Sequence, residues 1–261
     1  MAVQGFSKDP LRDQVFLEDV EILRKIVSLA RLTKKDTVLE IGAGDGRLTE
    51  ELSQKAGKVI AIEADERLRP VLEKRFVGVG SVQLFFGNAL SVIKRVPSCE
   101  KIVSNPPYSI SEPLMRMLFR QHFGEALLTL PSGFAERLSA APGDPAYSKL
   151  SLFFHAFFDA KAILDVGRAS WSPVPGTESV VMRITPKKPA GRRERMIRAL
   201  ALLDDKKLRN ALREALAGMP GGSRRKAREE VLKAAVRQDL LGKRVSSMGL
   251  AEVLEVLEAF K

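Results

Sequence analysis

Five short apolar runs, each bounded by glycines or charges, limit what this chain can fold into more than any other feature. They cover residues 37–41, 58–63, 82–86, 101–104 and 126–130, each the length of a buried strand. Between them lie stretches with helical spacing at 47–55, 66–76 and 112–121, and before them 18–32 repeats Val20, Leu23, Ile26, Val27 and Ala30. Strands alternating with helices predict an α/β fold, a Rossmann-like parallel sheet covered on both faces. Two further runs, 161–166 and 179–185, flank the Pro-rich segment 171–176. They suit an antiparallel addition to the edge of the same sheet.

Composition changes across 185–193, where two prolines, a glycine and a run of cations mark a linker. Beyond it, 194–203, 206–217, 225–239 and 250–260 show amphipathic helical spacing, with a break at 219–223. The expected organisation is an α/β domain at 1–186 and a small all-α domain at 187–261. Charge follows the same division. Of the net +11, the last 75 residues hold 19 basic and 10 acidic side chains, leaving +2 for the rest. A basic helical module fits a polyphosphate partner through counterion release, and a solvated Arg-rich face explains the charge equally well. One cysteine, Cys99, excludes an internal disulfide, and with only His122 and His155 no metal centre is expected. No apolar run has the length of a membrane span, and the first residues lack a secretory layout, so the reading is a cytoplasmic, metal-free protein.

The first strand runs into Glu40-Ile41-Gly42-Ala43-Gly44-Asp45-Gly46. Glycines here let the backbone pass close to a ligand. The order is E-x-G-x-G-x-G rather than the dinucleotide pattern G-x-G-x-x-G. Asp45, beside the start of the next helix, disfavours a pyrophosphate there. A ligand with an adenosine but no pyrophosphate, such as S-adenosylmethionine, satisfies both facts, with Gly42 and Gly44 beside it. Glu63, at the end of the second strand, can accept from both ribose hydroxyls, and Asn88, after the third, can meet the adenine edge. An ordinary surface acid and a turn former are the plainer readings of these two residues.

The fourth strand delivers Asn105-Pro106-Pro107-Tyr108 to the C-terminal edge of the sheet, where open α/β sheets bind ligands. An exocyclic adenine amine is a poor nucleophile because its lone pair is delocalised into the ring. The Asn105 side-chain oxygen and the Pro106 carbonyl can accept its two N–H groups and favour a tetrahedral nitrogen. The prolines stiffen the backbone. Tyr108 offers a stacking face worth about 1–3 kcal/mol per base. A Pro-rich turn is the bland alternative; the position after a fourth strand, downstream of a glycine turn, favours the chemical one.

With these motifs in order, the chain resembles the small-subunit ribosomal RNA adenine N6-dimethyltransferase family of the KsgA type, itself similar to the erythromycin-resistance methylases. Asp13-Gln14-Val15-Phe16-Leu17 resembles the family's G-Q-N/H-F-L. Phe134-Ala135-Glu136-Arg137-Leu138, Tyr147-Ser148-Lys149-Leu150-Ser151, the segment from Trp171 to Ser179 and Lys243-Arg244-Val245 are similar to its later blocks. The resemblance implies a class I methyltransferase sheet with a small helical C-terminal domain. It implies dimethylation of two adjacent adenosines near the 3′ end of small-subunit rRNA, a pre-30S-like particle as partner, and a monomer. Carried over by position, cofactor contacts fall on Gln14, Val15, Leu17, Gly42, Glu63, Asn88 and Asn105, and base contacts on Asn105, Pro106 and Tyr108. Trp171 takes the place of an aromatic facing the base, with core packing as its other explanation. The chain departs from the pattern where Asn88 replaces Asp, Val15 a polar residue, Pro107 an aliphatic one, and Pro131-Ser132-Gly133 replaces Q-K-E. Two further readings stay open: an adenine methyltransferase on another nucleic acid, and a ribosome-assembly factor without turnover.

Overall fold

The structure, a computed structural model, describes residues 15–260. It divides into two compact units. One comprises the residues up to Ala135 together with Ala160–Pro186, the other Glu136–Asp159 together with the residues from Lys187 on.

The strands of the described residues are β1 (Phe16–Leu17), β2 (Thr37–Ile41), β3 (Lys58–Glu63), β4 (Val82–Phe86), β5 (Lys101–Ser104), β6 (Glu125–Pro131), β7 (Phe158–Val166), β8 (Trp171–Ser172) and β9 (Ser179–Pro186). Seven of them form one sheet in the order β4-β3-β2-β5-β6-β9-β7, while β1 and β8 pair as a small antiparallel ribbon. Pairings from β4 through β6 are parallel, and β9 adds antiparallel to β6. The five apolar runs are thus the five parallel strands, and the later pair extends the sheet at its edge, β9 antiparallel to β6 and β7 beyond it.

The helices that accompany these strands are α1 (Val20–Leu29), α2 (Arg47–Lys55), α3 (Arg69–Arg75), α4 (Ala89–Val92), α5 (Ser111–Leu118) and α6 (Ser132–Ser139). Asp19 starts α1 by accepting from the N–H groups of Glu21 and Ile22, which the first turn otherwise leaves without partners. Val38, Val59, Val103 and Leu127 pack on Leu23 and Ile26 of α1 and Leu48 and Leu52 of α2. The intervening Leu39, Ile60, Ile102 and Leu128 are equally buried. Near-continuous apolar strands are what a sheet covered on both faces requires.

The second unit holds α7 (Lys149–Phe157), α8 (Arg192–Leu202), α9 (Leu208–Ala217), α10 (Arg224–Lys233), α11 (Gln238–Gly242) and α12 (Leu250–Glu258). It draws in residues that the sequence boundary at 186/187 leaves in the α/β part. Hydrogen bonds show why. Lys149 Nζ donates to the carbonyls of Val245, Ser246 and Met248 at 3.1, 2.8 and 2.6 Å. Arg198 donates to Ala156 O at 2.7 Å. α7 has no polar stripe, with Leu150, Leu152, Phe153, Phe154, Ala156 and Phe157 all buried; it therefore lacks the amphipathic period by which surface helices are found. The helix expected at 225–239 is two, α10 and α11, separated by extended backbone at Ala234 and Arg237. Val231 and Val236 are both buried, yet five residues of straight helix turn about 140°, so one unbroken helix cannot bury both.

Candidate active site

The chain continues from β2 to β3 and β4 on one side of the sheet, and from β5 to β6 on the other. Such a reversal opens a crevice at the C-terminal ends of the two central strands. The β2–β5 register runs through Val38↔Lys101 and Leu39↔Ile102. Further along, a side chain takes over: the Ser104 hydroxyl donates to Ile41 O at 2.5 Å and accepts from Ile41 N–H at 3.3 Å.

The glycine turn leaves β2 at this point, with φ of +82° at Gly42 and +58° at Gly44. A Cβ on Gly42 would stand 3.1 Å from the Pro107 ring, and one on Gly44 would stand 2.9 Å from the Phe16 ring. These two glycines allow the loop after β5 and the β1 segment to close on the turn.

A cavity of about 280 Å³ lies against the turn. Of the residues expected to hold a cofactor, Val15, Leu17, Gly42, Gly44, Glu63 and Asn105 line it. Gln14 falls outside the described residues. Asn88 is exposed, caps α4 by accepting from Leu90 N–H at 2.9 Å, and is not part of the lining. Glu63, 8% exposed, accepts from Gly44 N–H at 2.7 Å through one oxygen and from Asp65 N–H at 2.8 Å through the other. Each carboxylate oxygen keeps a second lone pair. Burial raises the Glu63 pKa, and the backbone N–H bonds partly offset that.

Glu40, 1% exposed, also borders the cavity. Its Oε2 accepts from Thr49 Oγ1 at 2.5 Å, while Oε1 is buried without a partner. Desolvation pushes its pKa well above the usual glutamate range. A buried carboxylate oxygen beside a cavity is costly unless a donor or cation meets it.

Beyond β5, Pro106 is buried and Asn105 and Tyr108 are half-buried. Asn105 Oδ1 accepts from the hydroxyl of Thr129 on β6, and the Tyr108 hydroxyl bonds that of Ser179 on β9. Trp171, 4% exposed, belongs to the core cluster of α1 and α2. It also meets the Tyr108 ring edge-on, with centroids 5.9 Å apart. Core packing and contact with the site therefore coincide in one residue. Pro106, Tyr108 and Trp171 are not part of the cavity lining, which reaches this loop through Asn105 and Pro107. Thr129 escapes a search for motifs because it is a lone hydroxyl inside a strand, while Ser179 closes the Trp171–Ser179 block without any sign in the sequence of its bond to Tyr108. A polar residue in an otherwise apolar run is the one signal that Thr129 gives.

A family model described as ribosomal RNA adenine dimethylase matches residues 7–239. The chain belongs to this family. A probable ribosomal RNA small subunit methyltransferase A of Thermococcus kodakarensis is 37% identical over 264 residues, 99% of this chain and 93% of that protein. The ribosomal RNA small subunit methyltransferase A of Thermotoga maritima is 41% identical over 65% of this chain and 60% of its own length. The match to the probable Methanosarcina acetivorans enzyme, 41% identical, spans 64% of that protein. Among solved structures, a dimethyladenosine transferase from Plasmodium falciparum superposes with a TM-score of 0.64 at 26% identity, covering 94% of this chain and 97% of that one. The 23S rRNA methyltransferase ErmE shares the fold, with a TM-score of 0.62 at 24% identity.

The residues of this family member fit adenosylmethionine. The partnerless Glu40 oxygen would suit the ligand's ammonium, the free lone pairs of Glu63 would suit its ribose hydroxyls, and the glycine turn presents no side chain at Gly42 or Gly44. Among the described residues no group of three or more His, Cys, Asp or Glu is placed to hold a metal, and no helix is long and apolar enough to cross a membrane.

Proposed function

We infer that this chain transfers methyl groups from S-adenosylmethionine to the exocyclic amine of adenine in small-subunit ribosomal RNA, two methyls on each of two adjacent adenosines in the 3′-terminal hairpin loop. The observation that carries the reading is the meeting of two chain segments at one sheet edge. The glycine turn after β2 packs within 3.1 Å, measured from a Cβ on Gly42, of the loop that bears Asn105 and Pro106.

In this reading Gln14, Leu17, Gly42, Gly44, Glu63, Asn105 and the backbone of Val15 bind the cofactor, while Asn88 serves as the cap of α4. Adenosylmethionine supplies an electrophilic methyl carried on a sulfonium. The work of the protein is to hold the amine. Asn105 Oδ1 and the Pro106 carbonyl accept its two N–H groups and steer its lone pair, while Tyr108, backed by Trp171, stacks the purine. No side chain is needed as a strong base; positioning and fixed dipoles lower the barrier. Adenines in RNA loops can be swung out of their stack at modest cost, which suits a hairpin end.

The helical residues 187–261 act as the RNA- and ribosome-binding part. Arg195, Lys226 and Arg192, the last paired with Glu230, border a second concavity of about 310 Å³ within that unit, whose cationic excess suits a phosphate backbone. The substrate is a partly assembled pre-30S-like particle, the protein acts as a monomer, and it works where ribosomes are made, in the cytoplasm.

Tritiated adenosylmethionine incubated with undermethylated small subunits, with bare RNA and with DNA tests this directly. Label appearing as dimethyladenosine in the subunits alone is the expected result. Label in DNA moves the substrate to another nucleic acid, and tight subunit binding without label makes the chain an assembly factor.

A further inference from the structure

The antiparallel pair β6/β9 places two hydroxyls behind the site. In its register Thr129 lies opposite Val181 and Pro131 opposite Ser179. These four side chains therefore share one face, with Thr129 and Ser179 diagonal to each other on it. Both are almost fully buried, Thr129 at 1% and Ser179 at 2% exposure. Their neighbours along the strands, Leu128, Leu130, Val180 and Val181, are apolar and buried. Valine would serve the sheet at position 129 as well as threonine does, and a buried hydroxyl is costly without a partner. The partner of this one is Asn105 Oδ1.

We propose that Thr129 is a positioning residue for methyl transfer, holding the carboxamide of Asn105 in the orientation that receives the target amine. The inference rests on the reading that Asn105 grips that amine. The last torsion of asparagine is broad and two-fold, and its oxygen and NH2 ends have nearly the same shape. An untethered carboxamide therefore presents NH2 to the substrate amine part of the time, donor against donor. Oδ1 has two lone pairs. The hydrogen donated by Thr129 occupies one and leaves the other for the amine. Pro106 needs no such device, since its acceptor is a backbone carbonyl fixed by the chain.

The experiment compares Thr129→Val, which keeps shape and removes the hydroxyl, with Thr129→Ser, which keeps the hydroxyl. Both are assayed in the full chain on undermethylated small subunits, beside Asn105→Ala and the Asn105→Ala/Thr129→Val double variant. Thr129→Val should lower kcat about tenfold, the effect of one lost oriented hydrogen bond. Its KM for adenosylmethionine, to which Asn105 also contributes, should change far less than kcat, and its melting temperature should stay at the parent value. Thr129→Ser should recover most of the loss, and the double variant should be no slower than Asn105→Ala, as for two residues acting through one group. The proposal is overturned by a kcat of Thr129→Val equal to the parent's, or by equal losses in the Val and Ser variants, which would make the effect one of packing. An active Asn105→Ala would instead overturn the grip on the amine itself. An inactive Asn105→Ala beside a normal Thr129→Val removes the positioning role alone.

Discussion

The two units handle polar groups in opposite ways. In the α/β unit the groups at the sheet edge are few, buried or half-buried, and held: Glu63 by two backbone N–H groups, Asn105 by Thr129, Tyr108 by Ser179. In the helical unit the charges are many and face water. Arg225 approaches Glu229 at 4.0 Å with its side chain 85% exposed, and Arg237 pairs with Asp239 and Glu255 at the surface. Exposed pairs contribute little individually and are screened by salt. Buried, fixed dipoles act at full strength on whatever enters between them. Rate should therefore depend on single residues of the first unit, and affinity on the summed charge of the second.

The sharpest test of that contrast is Asn105→Ala. It should lower kcat about a thousandfold, the scale of losing a transition-state dipole, while adenosylmethionine binding stays measurable by calorimetry; full activity would end the comparison at once. Glu63→Gln comes next. It leaves one acceptor oxygen where the carboxylate has two, so the dissociation constant for adenosylmethionine should rise about tenfold to a hundredfold.

The same residue gives a pH dependence. Burial raises the Glu63 pKa, so acidification protonates it earlier than an ordinary glutamate, and cofactor affinity of the parent should fall in that window, whereas that of Glu63→Gln should fall less, keeping only the part that Glu40 contributes. Tyr108→Ala should cost about tenfold in kcat/KM for the RNA substrate through lost stacking, with cofactor binding unchanged.

Glu40 sharpens the comparison from the stability side. Its folded pKa lies well above the ordinary value because it is desolvated. Its contribution to ligand-free stability is therefore fully present below the ordinary glutamate pKa and is lost as pH rises through the raised one. Glu40→Gln should remove that loss, so a melting series from about pH 5 to about pH 8 should be flatter than the parent's. An identical pH slope would show that the partnerless oxygen carries no such burden.

The smallest effect is expected in the helical unit. Arg224→Glu with Arg225→Glu should weaken subunit binding only a few-fold at moderate salt and reduce the salt slope of log K by about 1 to 2. An unchanged slope would make the patch a solvated face.

Where the residues carry a repeating pattern, the sequence was easy to read. The apolar runs at 37–41, 58–63, 82–86 and 101–104 coincide with β2 to β5 residue for residue, because a glycine, a charge or a polar turn residue bounds each one; the buried charges inside them, Glu40 and Glu63, stand near the strand ends that face the cavity. Asn105-Pro106-Pro107-Tyr108 and the glycine turn could be placed at one edge because parallel strands all end on the same side. Asn88 shows the limit. A short polar side chain after a strand serves equally as a ligand contact or a helix cap, and here it takes the cap of α4.

Sequence alone determined the sheet, the glycine turn, the place of Asn105-Pro106-Pro107-Tyr108 at its edge and the concentration of positive charge in the tail, since each is a local pattern of residue types. Only tertiary structure decided that Glu136–Asp159 joins the helical unit, that Trp171 is at once core and support for Tyr108, and that Thr129 and Ser179 stand behind the site. The physical reason is separation along the chain. Thr129 and Asn105 are 24 residues apart, and Tyr108 and Ser179 are 71 apart, distances over which a hydrogen bond leaves no periodicity behind.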